Sequence, residues 1–288
     1  HTTTDCFPVT AEAARAGPET VQSVSWFAGV QFSGGVGPMT IDIWMLLALG
    51  GVGMLAGFVD AVAGGGGLIA IPALISAGVP PVAALATNKA QAVVGTFAAA
   101  FTFWRKGYVA LWPLVPGVFA AFVGSWVGAL VVTLVDTSAL TIAIPLAIIA
   151  VAAYFAFSPS ISDTDRASRL SFALFVPVVG FVLGFYDGLF GPGTGSFFML
   201  AFVGLFGLSA VRASANTKVL NLTSNLAALL FFIFAGEVVW AIALVMAVGN
   251  LVGGYLGALA GIRFGAKIIR PLVIIVSVAL AARLLLFP

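Results

Sequence analysis

The sequence carries very little charge. Only 8% of its 288 residues are Asp, Glu, Lys or Arg, whereas 61% are hydrophobic, and the mean hydropathy is +1.18. A soluble domain has about 25% charged residues, so this chain has too few polar side chains to cover a globule in water. The composition therefore excludes a soluble domain and predicts an integral membrane protein.

Side chains that bind metals or act as nucleophiles are also scarce. The chain has one cysteine, Cys6, and one histidine, His1. A single cysteine excludes an intrachain disulfide, and ordinary zinc sites and histidine- or cysteine-based catalysis have almost no residues to draw on. The formal net charge is +2, and no basic run is long enough to bind nucleic acid. We expect no metal, no cofactor and no nucleic-acid partner.

Apolar segments separated by short breaks follow one another from Ile41 onward. About 20 apolar residues cross the ~30 Å hydrocarbon core of a bilayer as a helix, and most of the segments have about that length. The pattern predicts an all-α membrane protein with about ten transmembrane segments. They are expected at 41–60, 68–77, 84–104, 109–134 and 138–157, and at 171–190, 195–206, 214–235, 238–261 and 268–287.

The two sets of five segments repeat each other. The sequence "GVPPVAALATNK" (Gly78–Lys89) aligns with "GLSAVRASANTK" (Gly207–Lys218). Gly124 falls on Gly253 at the same offset. In each set the second segment is short and follows a glycine-rich break. Several matches at one offset indicate an internal duplication.

Loop charges predict that the two repeats are inverted. Arg105 and Lys106 follow the third segment of the first half, where the second half has Glu237. After the fourth segment the first half has Asp136, whereas the second half has Arg263. Because basic loops lie on the cytoplasmic side, equivalent loops are expected on opposite sides of the membrane. Each half then crosses five times, and both termini lie outside the cytoplasm.

This pattern divides the chain into four parts. Residues 1–38 are polar, precede Met39, and are interpreted as an extracytoplasmic, weakly ordered N-terminal extension. Residues 39–158 form the first transmembrane repeat, and 159–170 form a cytoplasmic linker. Residues 171–288 form the second transmembrane repeat.

Both glycine-rich breaks follow an aspartate, in "DAVAGGGGL" (Asp60–Leu68) and "DGLFGPGTG" (Asp187–Gly195). Interrupted segments at matching places in two halves point to the substrate site of a secondary transporter. A helix that starts at such a break offers free N–H groups to an anion. The alternative is that the glycines only allow helices to pack closely. The candidate substrate-binding residues here are Gly64, Gly65, Gly66, Gly67, Gly191, Gly193 and Thr194.

Lys89 and Lys218 lie inside apolar segments. A lysine at that depth costs at least ~2.5–3.5 kcal/mol on insertion scales, so something must offset it. One possibility is a structural ion pair within each half, Lys89 with Asp60 and Lys218 with Asp187. Another is a cationic lining for an anionic substrate, and a third is that each lysine snorkels to the nearer surface.

The two aspartates and several amides complete the candidate site. Asp60 and Asp187 end their first segments and are the best candidates for proton coupling, with helix capping or ion pairing as the alternative. The candidate polar substrate ligands are Asn88, Gln91, Asn216, Thr217, Asn221 and Asn225, with Asn250 as a further candidate. For any single amide, an interhelical hydrogen bond worth about 0.6 kcal/mol is the simpler interpretation.

Three stretches resemble the sulfite exporter TauE/SafE family of membrane permeases: "GFVDAVAGGGGLIAIPAL", "ATNKAQAVVG" and "GFYDGLFGPGTGSFFMLAFV…ANTKVLNLTSN". The likeness covers residues 41–286. It implies transport of small sulfur-containing anions, such as sulfite, thiosulfate or organosulfonates, across the bacterial inner membrane. By motif, the functional positions it implies are Asp60, Gly64–Gly67, Asn88 and Lys89, and Asp187, Gly191, Gly193, Asn216, Thr217 and Lys218.

The sequence thus predicts a secondary transporter of small oxyanions that works by alternating access, with a small anionic substrate and the lipid bilayer as its partners. An anion channel of the same fold is one alternative. An intramembrane enzyme built on Asp60 and Asp187 is another, although the Gly-x-Gly-Asp pattern of membrane aspartic proteases is absent. The sequence gives no indication of the oligomeric state, the direction of transport or the coupling ion.

Overall fold

The computed structural model describes residues 30–31, 40–135 and 171–265, together with positions 146, 165, 267, 268 and 271. Apart from single positions, the two predicted fifth segments and the linker lie outside these residues. Most of the predicted N-terminal extension also lies outside them. A two-residue antiparallel strand pair, β1 (Val30–Gln31) and β2 (Thr40–Ile41), precedes the first helix.

Nearly all of the described chain is helical. A short 3₁₀ turn, Trp112–Leu114, leads into the helix that follows it, and a π-helical stretch, Ala201–Phe206, continues the helix that precedes it. Within the described ranges the helices are α1 (Ile43–Ala63), α2 (Gly66–Ser76), α3 (Pro81–Arg105), α4 (Val115–Leu134), α5 (Phe172–Leu189), α6 (Thr194–Leu200), α7 (Ala210–Ala235) and α8 (Trp240–Phe264).

Five of these helical stretches are long and apolar enough to cross a membrane. They are α1, Trp112–Leu134, α5, α7 and α8. The helix α3 has 25 residues and is therefore about 37 Å long, but its polar residues lower its hydropathy. The helices α2 and Thr194–Phe206 are apolar and shorter. The prediction of an all-helical membrane protein is confirmed, whereas ten crossings in inverted repeats remain a prediction.

The helix boundaries correct the predicted position of the first break. The first segment was expected to end at Asp60, but α1 continues to Ala63, whereas α5 ends at Leu189, close to the predicted end at residue 190. Gly64 ends α1 in the left-handed conformation, with φ of 84°, and its N–H donates to the Asp60 carbonyl oxygen at 2.7 Å. The next helix, α2, begins two residues later. It can do so because the backbone N–H groups of a first helical turn do not need a carbonyl acceptor four residues earlier. The break is therefore shorter than the run of glycines.

Glycines bring two pairs of long helices into close contact. The helix α1 packs along α8, and α4 packs along α5. A Cβ atom on Gly253 would lie 2.0 Å from the Met54 carbonyl oxygen, and one on Gly188 would lie 2.0 Å from that of Ser125. No larger side chain fits at such a distance. These glycines therefore have the packing role that small residues have between membrane helices.

The contacts also give the relative directions of the helices. In each of four helix pairs, the residue numbers of the contacting residues increase in both helices from one contact to the next, so the two helices of each pair are parallel. The contacts are Gly50–Gly249 and Phe58–Gly257 for α1 and α8, Gly95–Gly254 and Phe103–Gly261 for α3 and α8, Gly117–Gly180 and Ser125–Gly188 for α4 and α5, and Gly117–Leu220 and Ser125–Ser224 for α4 and α7. Both α1 and α3 are thus parallel to α8, so the chain returns between them through the short α2. By the same argument it returns between α5 and α7 through α6.

Basic residues gather at one end of the described bundle. A surface depression there is lined by Tyr108, Arg212, Arg263 and Lys267, among others. Asp165 accepts the Ser209 backbone N–H at 2.6 Å and pairs with Arg212 at 2.5 Å. The hydrogen bond from the Ser209 N–H, with the contribution of Arg212, holds the pKa of the Asp165 carboxyl below its usual range. The linker residue thus binds the start of α7.

Candidate functional site

The two glycine-rich breaks meet inside the bundle. Ser196 donates its backbone N–H to the Gly64 carbonyl oxygen at 3.0 Å and its hydroxyl to the Ala63 carbonyl oxygen at 2.6 Å. A Cβ on Gly64 would lie 2.1 Å from the Gly195 carbonyl carbon. The chain at Gly64 therefore needs glycine for two reasons, the positive φ and this close approach.

Two ion pairs join the regions on either side of these breaks. The Lys89 ammonium lies 2.6 Å from the Asp187 carboxylate, and the Lys218 ammonium lies 3.0 Å from that of Asp60. Lys218 also donates to the Asp60 main-chain carbonyl oxygen. The predicted pairing within each half, Lys89 with Asp60 and Lys218 with Asp187, is wrong, and the pairs cross between the halves. They cross because the breaks meet, so that each aspartate faces the lysine-bearing helix of the other half.

The four charged groups are not equally enclosed. The side chains of Lys89 and Asp187 are each 2% exposed, whereas Lys218 is 1% and Asp60 is 16% exposed. Neither lysine snorkels to a membrane surface. The second oxygen of Asp187 has no hydrogen-bond partner among the described residues, whereas the second oxygen of Asp60 accepts the Gly66 N–H at 3.4 Å.

Three amide side chains form a directed chain of hydrogen bonds beside the breaks. Asn250 of α8 donates its Nδ2 to Gln91 Oε1, and Gln91 donates its Nε2 to Asn88 Oδ1 at 2.8 Å. All three side chains are buried. Because the Asn88 side-chain oxygen accepts this hydrogen bond, its amino group points the other way, towards Gly67. The amino nitrogen lies 3.5 Å from the position that a Cβ atom on Gly67 would take. The chain of amides therefore fixes the orientation of the Asn88 amino group, which can donate into the open space beside α2.

The amides of the second half bond mostly to their own helix. Asn225 donates to the Asn221 carbonyl oxygen at 2.7 Å and to its side-chain oxygen at 3.2 Å. Asn216 donates to the Arg212 carbonyl oxygen one turn earlier, at 2.7 Å. The buried Thr217 hydroxyl has no partner among the described residues. The two halves thus offer different polar groups.

A small polar cavity lies between the breaks and these amides. Its volume is about 20 Å³, which is enough for one water molecule. Ten of the predicted site residues line it, namely Asp60, Gly64, Gly66, Gly67, Asn88, Gln91, Asp187, Gly191, Asn221 and Asn225. Seven others lie around it without lining it, namely Gly65, Lys89, Gly193, Thr194, Asn216, Thr217 and Lys218. The lysines reach the cavity only through the aspartates that they bind.

Three further residues line the cavity, namely Ala92, Gly195 and Asn250. Ala92 carries no polar group and Gly195 lies at the far end of its break, so neither was predicted. Asn250 was predicted as a further candidate ligand, but its contact with Gln91 was not, because the two residues lie far apart in the sequence. Within the described residues, no group of three His, Cys, Asp or Glu side chains could hold a metal ion.

The anion-binding role predicted for both helix starts fits the geometry only in part. The Ser196 N–H in the first turn of α6 is already bound to Gly64. At the start of α2, the Gly66 N–H makes a long contact with the Asp60 carboxylate. The start of α2 therefore holds a carboxylate of the protein itself, and only a displacement of Asp60 would open that amide to another anion.

Comparison with known proteins identifies a family of membrane transporters. A family model described as sulfite exporter TauE/SafE matches residues 49–284. The probable membrane transporter protein ORF9 of Sinorhizobium is 44% identical over 234 residues, which cover 81% of this chain and 90% of that protein. The probable membrane transporter protein YfcA of Escherichia coli K12 is 44% identical over 250 residues, which cover 87% of this chain and 91% of that protein.

A third relative, a probable membrane transporter protein of Haemophilus influenzae, is 44% identical over 246 residues, covering 85% of this chain and 96% of its own length. No solved structure matches the chain. The family resemblance carried by the aspartate–glycine breaks and the paired lysine motifs is confirmed. The chain belongs to the TauE/SafE sulfite exporter family of membrane transporters.

Proposed function

We propose that the protein is a secondary transporter of a small sulfur-containing oxyanion, which binds between the two glycine breaks when the small cavity there widens. The observation that carries this proposal is the small polar cavity with two ion pairs at its edge, in which three of the four charged side chains are at most 2% exposed. Such buried charges are costly to retain for stability alone, since buried ion pairs seldom stabilise more than well-packed apolar residues. A site that must bind and release an anion has a use for them.

The charges around the cavity balance before substrate arrives. Two lysines face two aspartates, so the cluster is neutral when all four groups are ionised. An added oxyanion leaves one net negative charge at low dielectric, even when a lysine turns from its aspartate towards the anion. Protonation of the aspartate that releases this lysine restores neutrality. Anion and proton would then cross together.

Asp60 is the better candidate for this proton. Its side chain is 16% exposed, lines the cavity and touches the Gly66 N–H only weakly, at 3.4 Å. Protonation of Asp60 would weaken its hold on Lys218 and free the first N–H groups of α2. Both groups could then bind the oxyanion, as helix starts and lysines commonly do.

The amide side chains would orient the oxyanion. The chain from Asn250 through Gln91 leaves the Asn88 amino group as a donor on one side of the cavity. Asn221 and Asn225 line the cavity from α7. Because donors lie on α3 and α7 without a symmetric match, we expect a bound anion to sit off the axis between the halves.

The helix directions support the inverted arrangement that alternating access needs. In a chain of ten crossings the first, third and ninth are parallel, as α1, α3 and α8 are. The fourth, sixth and eighth are also parallel, as α4, α5 and α7 are. If α2 and α6 did not reverse the chain, α3 would be antiparallel to α8. We therefore propose two inverted halves that rock about the cavity, in a bacterial inner membrane with the basic end in the cytoplasm.

Two other functions are less well supported. A channel of the same fold would need a continuous water-filled path, whereas this cavity has room for about one water molecule. An aspartic enzyme would need two carboxylates that share a proton. Asp60 and Asp187 instead each bind a lysine. Transport by a carrier fits both observations.

A flux assay in proteoliposomes tests the proposal. We expect saturable counterflow of labelled sulfite, thiosulfate or sulfoacetate by the unaltered chain, which a channel would not give. The Asp60→Asn, Lys218→Met variant should lose this flux while it remains folded, because both partners of one pair become neutral together. The Asp165→Asn, Arg212→Gln variant, which neutralises an exposed pair, is the matched control. Normal flux through the first variant contradicts the proposal.

A further inference from the structure

An apolar groove runs along the outer surface of the bundle between α3 and α8. Its volume is about 690 Å³. The buried side chains of Ala98 and Thr102 lie on its α3 side. Phe101 and Tyr255, which are 42% and 50% exposed, flank it on the two helices. The groove is thus open to the hydrocarbon of the membrane. It shares no lining residue with the polar cavity.

The groove has the length of a lipid chain in one leaflet. On α3 its lining extends from Phe97 to Arg105. At 1.5 Å per helical residue this is about 12 Å, and half of a hydrocarbon core is about 15 Å. The groove therefore spans most of one leaflet and ends near the membrane surface. Trp104, which is 48% exposed beside that end, fits the same interface level.

Two cations lie at the surface end of the groove. Arg105 and Lys106 both line it. The Arg105 guanidinium lies 5.7 Å from the centre of the Phe101 ring, and this contact holds the charge against the groove wall. Among the described residues that line the groove, none is acidic. An apolar slot with positive charge at its end complements a molecule with a hydrocarbon chain and an anionic head.

We propose that this groove binds one anionic phospholipid, with an acyl chain between α3 and α8 and its phosphate against Arg105 and Lys106. The site is separate from the transport cavity and does not depend on the transported substrate. A second copy of the chain is a poorer occupant, because a two-fold interface places the same patch of each copy face to face. The cations of one copy would then approach those of the other.

A lipid titration of the full chain tests this site. The protein, purified in detergent and stripped of lipid, is titrated with acyl-labelled phosphatidylglycerol or phosphatidylcholine. We expect phosphatidylglycerol to bind more tightly. A basic residue near an anionic lipid surface contributes about fivefold to affinity, so Arg105→Gln, Lys106→Gln should weaken phosphatidylglycerol binding by roughly 20-fold. The exchanged pair Arg105→Lys, Lys106→Arg should retain it.

Two further variants separate this groove from a general effect of charge. Arg263→Gln, Lys267→Gln removes two cations at the same end of the bundle that do not line the groove, and should weaken phosphatidylglycerol binding much less than the Arg105 and Lys106 variant. Ala98→Phe fills the groove and should weaken both lipids. Equal binding of the two lipids, or equal losses in the two charge variants, would overturn the proposal. A dimer that Ala98→Phe dissociates would show instead that a second copy covers the groove.

Discussion

The two crossed ion pairs have the same chemistry but different surroundings. Both aspartates line the cavity, but the side chains of Lys89 and Asp187 are each only 2% exposed, whereas the Asp60 carboxylate of the other pair is 16% exposed. A sealed pair can hold the halves together, but it cannot exchange partners without opening the core. We infer that Lys89 and Asp187 form a fixed connection, and that Lys218 and Asp60 form the pair that opens during transport.

The largest effect is expected when the sealed pair loses one partner. Asp187→Ala leaves the Lys89 ammonium buried and unpaired, which typically costs about 3–5 kcal/mol. Asp60→Ala should cost less, about 1–3 kcal/mol, because Lys218 keeps its hydrogen bond to the main-chain carbonyl oxygen of residue 60. Unfolding in detergent, followed by the loss of helical circular dichroism, gives both values. Equal losses would remove the distinction between the two pairs.

A large effect is also expected at the meeting point of the breaks. Gly64→Ala requires a positive φ and brings a Cβ to 2.1 Å from the Gly195 carbonyl carbon. We expect a loss of about 2–4 kcal/mol. Gly78→Ala is the matched control, since Gly78 has φ of 87° but nothing lies within 4 Å of an added Cβ. If the free energy of unfolding falls equally in both variants, the loss comes from the positive φ alone and the contact between the breaks contributes nothing.

A smaller effect is expected from the amide chain that serves the cavity. Asn250→Ala leaves the buried Gln91 oxygen without its donor, which should cost about 1–3 kcal/mol. It also frees Gln91 to rotate, so that Asn88 loses its fixed orientation and the KM for the oxyanion should rise about 10-fold. Asn225→Ala removes a contact within one helix and should raise KM less. A KM unchanged in Asn250→Ala would show that the chain only supports packing.

The smallest effect is expected at the exposed pair between Asp165 and Arg212. The pKa of Asp165 is lowered in the folded protein, so its contribution is present above the ordinary pKa near 4 and is lost as the pH falls through the lowered value. Because the pair is open to water, Asp165→Asn should cost less than 1 kcal/mol at pH 7. The difference from the unaltered chain should vanish near pH 2. A constant difference across this range would assign the effect to something other than charge.

The sequence located the charged groups well because each type recurs in both halves. Asp60 and Asp187 each precede a glycine-rich break, and Lys89 and Lys218 each end a repeated motif, so the duplication identified all four as a set. Their pairing could not be read from the sequence. Spacing along one helix indicates which side chains share a face, but the approach of another helix depends on packing. The close contact of Gly64 with Gly195 decides that approach, and it is visible only in the fold.

Helix boundaries, and residues without a counterpart in the other repeat, were also difficult to predict from the sequence. Glycines such as Gly66 and Gly67 favour a break by their conformational freedom, yet both lie within α2. Propensity alone does not place a boundary when the first turn needs no intrahelical acceptor. Asn250 has no polar counterpart in the first half, so the repeat gave it no support. Its role follows from a contact with Gln91 across 159 positions of the chain.

Oxyanion binding by Gly67→Ala tests the central claim most directly, namely that the cavity holds the transported anion. Gly67 lines the cavity, and a Cβ there would lie no closer than 3.5 Å to its neighbours, so the fold should tolerate the methyl group while the cavity shrinks. The measurement is the Kd of sulfite, thiosulfate and sulfoacetate for the purified protein by calorimetry. We predict a Kd at least 10-fold higher in Gly67→Ala with an unchanged Tm, and an unchanged Kd would contradict the account.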